Sequence, residues 1–365
     1  MVVESRSSPA RAWLMLSRTV VLAVIALFAG LALTGTVVPM PVQAAVYLVG
    51  MIALNLPHGG FEHVANLRMR RLGFVVRYVA AFLMLIVAFV ALFLVAPLAG
   101  LTLALIVAMV KGGIGDVRAM AVTTGASHLG GLSQQVLAVL ARGLPVMAIG
   151  MAVHTEAFWW FSELMVGLVD PDQGPAVHAW IHHTAPVAGA LAALAIAAHL
   201  AGGLVRASAA GAGRARALRH WRADAFDTLL LTTFFIVVPV VVAVGLYFPF
   251  WYSSRQVARA VAIREEPEPE PGALFAGLER MEPGRIILIA WLTLVVGALL
   301  TVSVAVATWV VFPNAMVHSQ WLFTGVAFWS VFISIIALPH ILVGQLFDRK
   351  RGIWYVPRGA EMNSA

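Results

Sequence analysis

Apolar positions in this chain neither alternate nor recur as narrow stripes; they run on without a break. Nearly uninterrupted apolar stretches cover roughly 19–38, 42–56, 74–95, 98–110 and 132–153, then 185–204, 226–250, 286–312 and 321–346. Several reach the roughly 20 residues that cross about 30 Å of hydrocarbon at about 1.5 Å per residue. The shorter ones read as tilted, broken or buried spans. The predicted fold class is therefore all-α, a polytopic integral membrane bundle of about eight or nine transmembrane helices. One segment near 100–150 is a candidate re-entrant piece. The expected organisation is a cytoplasmic N-terminal segment 1–18, one transmembrane domain over 19–348 and a cytoplasmic tail 349–365. There is no internal repeat of fixed period.

Composition agrees with that pattern. Hydrophobic residues make up 61% and charged residues 11% of the chain, against about 45–50% and 25% in soluble domains. The stretch from Thr19 onwards exceeds the 7–15 residue core of a secretory signal and lacks a small-residue cleavage pattern, so it reads as the first span. The chain has no cysteine, which excludes disulfides, thiolate metal ligands and cysteine nucleophiles. The net charge of +7 is carried by loops. Basic residues gather at 66–77, 205–222 and 349–358, so these segments are expected on the cytoplasmic side of a multi-pass protein of the cell membrane. Basic loops flanking spans bind a bilayer, and no nucleic-acid partner is expected. The segment 253–285, with its Glu-Glu-Pro-Glu-Pro-Glu-Pro run at 265–271, reads as a charged, proline-rich loop.

Ionisable groups are costly inside a span, and each is by default a functional candidate. His58 stands in LNLPHGGFEH with Glu62 and His63 following. On a helix His58 and Glu62, four apart, share a face, whereas His63 points elsewhere unless Gly59 and Gly60 break the turn. His128 lies in TTGASHLGG, where small residues permit close approach. His340 follows Pro339 in ALPHILV. Each alone suits a histidine bonded to a backbone carbonyl; together, in apolar contexts punctuated by glycine or proline, they point to a shared site. His178, His182 and His183 have metal-ligand spacing but lie beside Asp170 and Asp172 and read as an interfacial cluster. His220 and His318 read as solvated, and His154 and His199 are left open. The glycines at 112–115 read as helix packing. Nucleotide-binding loops and serine elbows are absent.

In order, LPHGGFEH, SHLGG, an acid-led helix ending in GLYFPFWYSSRQ, and LPHILV resemble the Brp/Blh family of membrane-bound, central-cleaving carotenoid dioxygenases, from about residue 50 to 348. The resemblance implies oxidative cleavage of β-carotene to retinal by O₂ at a non-haem Fe(2+) held by histidines, with an apolar polyene as substrate and a functional link to a rhodopsin. It places His58 at the family's PHG histidine, Glu62 at that motif's acid, His128 at the H-F-G histidine and His340 at the late PH histidine. With Asp227 at the helix-leading acid, the family's W-H-S-x-R-H aligns with Trp251-Tyr252-Ser253-Ser254-Arg255-Gln256 without a gap. Tyr252 and Gln256 therefore occupy both expected ligand positions. Two histidines and one carboxylate suffice for non-haem iron. The retained set is then His58, Glu62 and His128, with Tyr252 as phenolate or as a donor to bound oxygen, and His63 or His340 as substitutes. The alternatives are a non-catalytic carotenoid- or retinal-binding protein and a transporter with an intramembrane His/Glu relay. The latter should carry inverted repeats, and none is seen.

Overall fold

A computed structural model describes residues 8–55, 70–262, 299, 301–315 and 320–347. In chain order the helices are α1 (Ser8–Leu33), α2 (Met40–Leu48), α3 (Leu72–Val95), α4 (Pro97–Thr123), α5 (Leu132–Leu144), α6 (Thr155–Gly167), α7 (Gly174–Ser208), α8 (Arg214–Val237), α9 (Val240–Leu246), α10 (Ser254–Ala262), α11 (Thr301–Val311) and α12 (Trp321–Phe347). Among the described residues there is no strand, and six helices are long and apolar enough to cross a membrane. The protein is an all-α, multi-pass membrane protein. Two shorter apolar helices, Met40–Ile52 and Thr301–Val311, accompany the six.

Prolines account for most of the helix breaks. Pro97 opens α4 two residues after α3 ends, and Pro239 separates α8 from α9, because a proline lacks the N–H that would continue the ladder. The apolar stretch 226–250 is thus two helices rather than one span. The region near 100–150 is a pair of long helices: α4 and α5 pack side by side and both belong to the six candidate spans. Residues Ser254–Ala262 are helical and largely buried, where the sequence reading starts a loop at 253.

Three π-helical segments interrupt the regular helices, at Val49–Asn55 after α2, Pro145–Ile149 after α5 and Tyr247–Ser253 after α9. Such bulges are rare and recur at functional sites.

Large apolar side chains face outward along whole helices. On α3, Val76, Met84, Val87 and Val95 are exposed, while Tyr78, Ile86, Phe89 and Phe93 form the buried stripe. On α7, Val187, Leu191 and Leu194 are exposed. Outer surfaces of this kind belong against lipid. Within the bundle α5 packs on α4 and α7, α8 on α7 and α1, α10 on α1 and α4, α9 on α2, and α12 on α2, α3, α4 and α6.

The close crossing of α4 and α5 depends on glycine. A Cβ on Gly113 would run into the Val139 carbonyl, and one on Gly143 into the Met109 carbonyl. Both obstacles are backbone and cannot rotate away. The glycines at 112–115 are packing residues, as expected. Gly143→Ala should cost about 1–3 kcal/mol through overpacking, and should appear as a lower unfolding midpoint of the detergent-solubilised protein.

Candidate functional site

Polar chemistry inside the bundle centres on three aspartates. Asp116 lies on α4, and Asp224 and Asp227 lie on α8; each is 1% exposed. Arg142 from α5 bridges two of them. Its Nε and Nη2 donate to Asp224 Oδ1 at 3.0 and 2.5 Å, and its Nη1 donates to Asp116. Arg255 from α10 bridges the next pair, with Nη1 2.9 Å from Asp116 Oδ1 and Nη2 2.7 Å from Asp227 Oδ2. The Arg255 guanidinium also lies 3.9 Å from the centroid of the Trp251 ring. Arg18 from α1 closes the chain with a forked pair to Asp227 at 2.7 and 3.0 Å. Three guanidinium groups thus balance three carboxylates. In a medium without water charges are tolerable only when they are paired in this way.

His128 joins this chain through a turn shaped by glycine. Gly125 has φ +94°, and a side chain there would strike the His220 ring; only glycine accepts both conditions. The turn directs His128 Nε2 to Asp224 Oδ2 at 2.6 Å, and His199 Nε2 from α7 reaches the same oxygen at 2.9 Å. A carboxylate only accepts, so both Nε2 atoms carry hydrogen. Gln134 then donates to His199 Nδ1 at 3.2 Å and to the His199 carbonyl at 2.8 Å, which agrees with that tautomer. His199, left open from sequence, is therefore a buried network histidine.

A separate apolar cavity lies between α2, α4, α6, α9 and α12. It holds about 930 Å³ of empty space including its mouth. Each of the three π-helical segments contributes one wall residue: Met51, Met147 and Phe248. Phe158, Phe161 and Met165 of α6 form another wall. Polar groups are few: Ser162, Ser330, Ser334, Tyr47 and Lys111. The Tyr47 and Ser330 hydroxyls are themselves bonded at 2.6 Å. Lys111 Nζ stands 5.4 Å from the Tyr252 ring centroid.

Of the candidate metal-shell positions singled out from sequence, the structure describes the side chains of His128, Tyr252 and Gln256. Tyr252 and Gln256 are both buried against Gly115: a Cβ there would meet Tyr252 Cε2 at 2.6 Å and Gln256 Nε2 at 3.0 Å. Gln256 Nε2 donates to the Gly115 carbonyl at 3.1 Å. His340 is on α12, and its side chain is outside the described residues. His58, Glu62 and His63, and His318 with them, also lie outside the described residues. The 178–183 cluster sits at a bundle edge, where the His178 ring lies tilted against His182 at 4.1 Å and edge-on to Trp159 at 4.8 Å between centroids. Sequence reasoning did not single out Lys111, Asp116, Arg142, Asp224 or Arg255 as site residues. The signal that would have found them is the one applied to the histidines, a charge within or beside an apolar run.

A non-haem iron needs about three histidine or carboxylate donors facing one point. His128 meets one requirement, because its Nε2–H is held by a carboxylate while the buried Nδ1 has no hydrogen-bond partner, the arrangement that orients metal-bound histidines. Among the described residues, however, no three His, Asp or Glu side chains form a group that could hold a metal. The described donors therefore do not make an iron centre by themselves.

The fold and these two sites define a helical membrane protein with an internal charge clamp beside an apolar cavity. Comparison with known proteins places it further: residues 49–348 match the family described as beta-carotene 15,15'-dioxygenase, and the chain belongs to that family. It is 44% identical over 346 residues to the probable beta-carotene 15,15'-dioxygenase Brp of Halobacterium salinarum, in strains R1 and NRC-1, covering 94% of each chain. It is 27% identical over 334 residues to the probable beta-carotene 15,15'-dioxygenase Blh of strain NRC-1, covering 88% of this chain and 89% of the relative. No solved structure matches significantly.

Arg142→Met should cost about 3–5 kcal/mol, because it leaves two buried carboxylates without their shared partner. Thermal unfolding in detergent checks this. Arg142→Lys should recover only part of the loss, since an ammonium cannot fork to two carboxylates.

Proposed function

We propose that this chain cleaves β-carotene or a related carotenoid oxidatively with O₂, giving retinal within the membrane. Family membership supports the reaction. The observation that carries the substrate class is the cavity: its walls are aliphatic and aromatic, it opens inside a bundle whose outer face suits lipid, and it offers few hydrogen-bonding groups. Such a lining binds a polyene by burial and shape, and fixes which double bond is presented. The side chains of α6 and of the three π-helical segments exclude water from the polyene, and the charge clamp holds α4, α8 and α10 rigid beside it.

Iron belongs to this proposal as the group that would activate O₂ when bound. His128 would be one ligand, with His58 and Glu62 as the others and His63 or His340 as substitutes. Tyr252 has a place in the reaction only through its position beneath Lys111, next to the Phe248 wall.

A second reading, a carotenoid- or retinal-binding protein without cleavage, is favoured by one observation. Tyr252 and Gln256 fill the expected ligand positions and are tied into helix packing at Gly115.

Expression in cells that accumulate β-carotene, with retinal measured by chromatography, separates the two. The wild-type chain should convert carotenoid to retinal and His58→Ala should not. Unchanged carotenoid from a folded, inserted wild-type protein would support the binding reading instead. Ala108→Trp, which fills the cavity from α4, should lower retinal yield by roughly 10- to 100-fold, the scale on which misplaced substrates lose rate.

A further inference from the structure

Hydroxyl groups gather on one wall of the cavity. Val326, Ser330, Ser334 and Ala337 follow one another at four- and three-residue spacing and line it as one face of α12. Tyr47 of α2 meets that face, with its hydroxyl 2.6 Å from Ser330 Oγ.

The hydrogens of these three hydroxyls are all committed. Ser330 Oγ donates to the Val326 carbonyl at 2.8 Å, and Ser334 Oγ donates to the Ser330 carbonyl at 2.8 Å. A carbonyl only accepts, and a hydroxyl has a single hydrogen. Ser330 therefore has none left for the phenol, so Tyr47 is the donor of that pair. What the wall still offers is oxygen lone pairs, since the Tyr47 and Ser334 hydroxyls accept no hydrogen bond among the described residues. Ser162 and Lys111, the other polar wall residues, carry hydrogens but approach from α6 and α4.

A hydrocarbon polyene has no use for such acceptors. A ligand hydroxyl does, because burying it in an apolar cavity without a partner forfeits its bonds to water. Against this wall it donates to a waiting oxygen. A ring carbonyl at the same place brings lone pairs to lone pairs.

We infer that the wall between α2 and α12 selects a polyene whose end ring carries a hydroxyl group. Tyr47 and Ser334 are the acceptors, and Ser330 fixes the direction of donation by holding the phenol hydrogen. The polyene part of this ligand rests on the carotenoid reading above, whereas the hydroxyl part rests on the bonding of the wall. The hydroxylated ring lies against α12, and the rest of the polyene lies against the aliphatic and aromatic walls.

The test measures binding rather than turnover, so it stands apart from cleavage. β-Carotene, its 3-hydroxy derivative and its 4-keto derivative are titrated into the full-length protein in detergent, and quenching of tryptophan fluorescence gives each Kd. The wild-type protein should bind the hydroxy derivative roughly three- to tenfold more tightly than the keto derivative, the scale of one net hydrogen bond. Tyr47→Phe removes an acceptor and should bring that ratio towards one. Ser330→Ala releases the phenol hydrogen, turns Tyr47 into a donor, and should shift the ratio further towards the keto derivative. Each ratio is taken within one variant, so a general loosening of the bundle cancels, and a merely structural role for these residues would not move it. Equal affinities in the wild-type protein, or a ratio unmoved by Ser330→Ala, would overturn the inference while leaving the carotenoid reading in place. Failure of all three carotenoids to bind sinks both.

Discussion

Three carboxylates and three guanidinium groups have to neutralise one another inside this bundle, and the helix arrangement follows from how they do it. Asp227 meets Arg18 and Arg255, Asp116 meets Arg255 and Arg142, and Asp224 meets Arg142. The chain of pairs links α1, α4, α5, α8 and α10, and the two histidines on Asp224 add α7 and the turn after α4. Lipid supplies no hydrophobic force between helices, so close packing and polar contacts must set their positions. A partly paired network would be worse than none. Because each carboxylate is shared, a shift of one helix exposes charge on two others. This coupling makes the clamp a rigid frame, whereas an isolated ion pair would tie together only two elements.

The cavity can exist because that frame carries the packing elsewhere. α4 contributes to both, with Ala104 and Ala108 on the cavity wall and Asp116 in the clamp about two turns from Ala108. The π-helical segments have a matching role. Each widens a helix locally and places one side chain on the wall. Glycines allow close approach: Gly113 and Gly143 bring α4 and α5 into backbone contact, and Gly50 and Gly245 do the same where the π-helical segment after α2 meets α9. Gly113 and Gly143 thus let α4 and α5 approach closely, while the π-helical segments supply wall residues of the cavity.

Much of the architecture was legible in the sequence, because apolar run length reports directly on membrane crossing. The spans at 74–95 and 132–153 and the packing role of the glycines at 112–115 correspond closely to α3, α5 with its extension, and the α4 crossings. The stretch 226–250 was less legible, since hydropathy is blind to a break whose only mark is Pro239. The charge clamp was hidden for another reason. Its members are 18, 116, 142, 224, 227 and 255, and no spacing along the chain relates residues that meet through tertiary packing. His128 was found by its glycine-flanked context. Its partner Asp224 sits among the arginines that open α8, where an acid looks like ordinary surface charge.

The substituted family positions lie where clamp and cavity meet. Arg255, which the W-H-S-x-R-H pattern shares with this chain, keeps its place in the clamp, while Tyr252 and Gln256 on either side pack on Gly115. Gly115 lies one residue before Asp116, so the same short piece of α4 receives the arginine and both replacements. A side chain at 115 would displace Tyr252 or Gln256, and with them the turn that aims Arg255 at Asp116. Conversely, Tyr252 and Gln256 cost the frame nothing, because the arginine alone carries its charge balance. Tyr252 and Gln256 thus stand at these positions while Arg255 keeps both of its carboxylate partners. That separation is the physical reason why the charge frame does not depend on which side chains stand at 252 and 256.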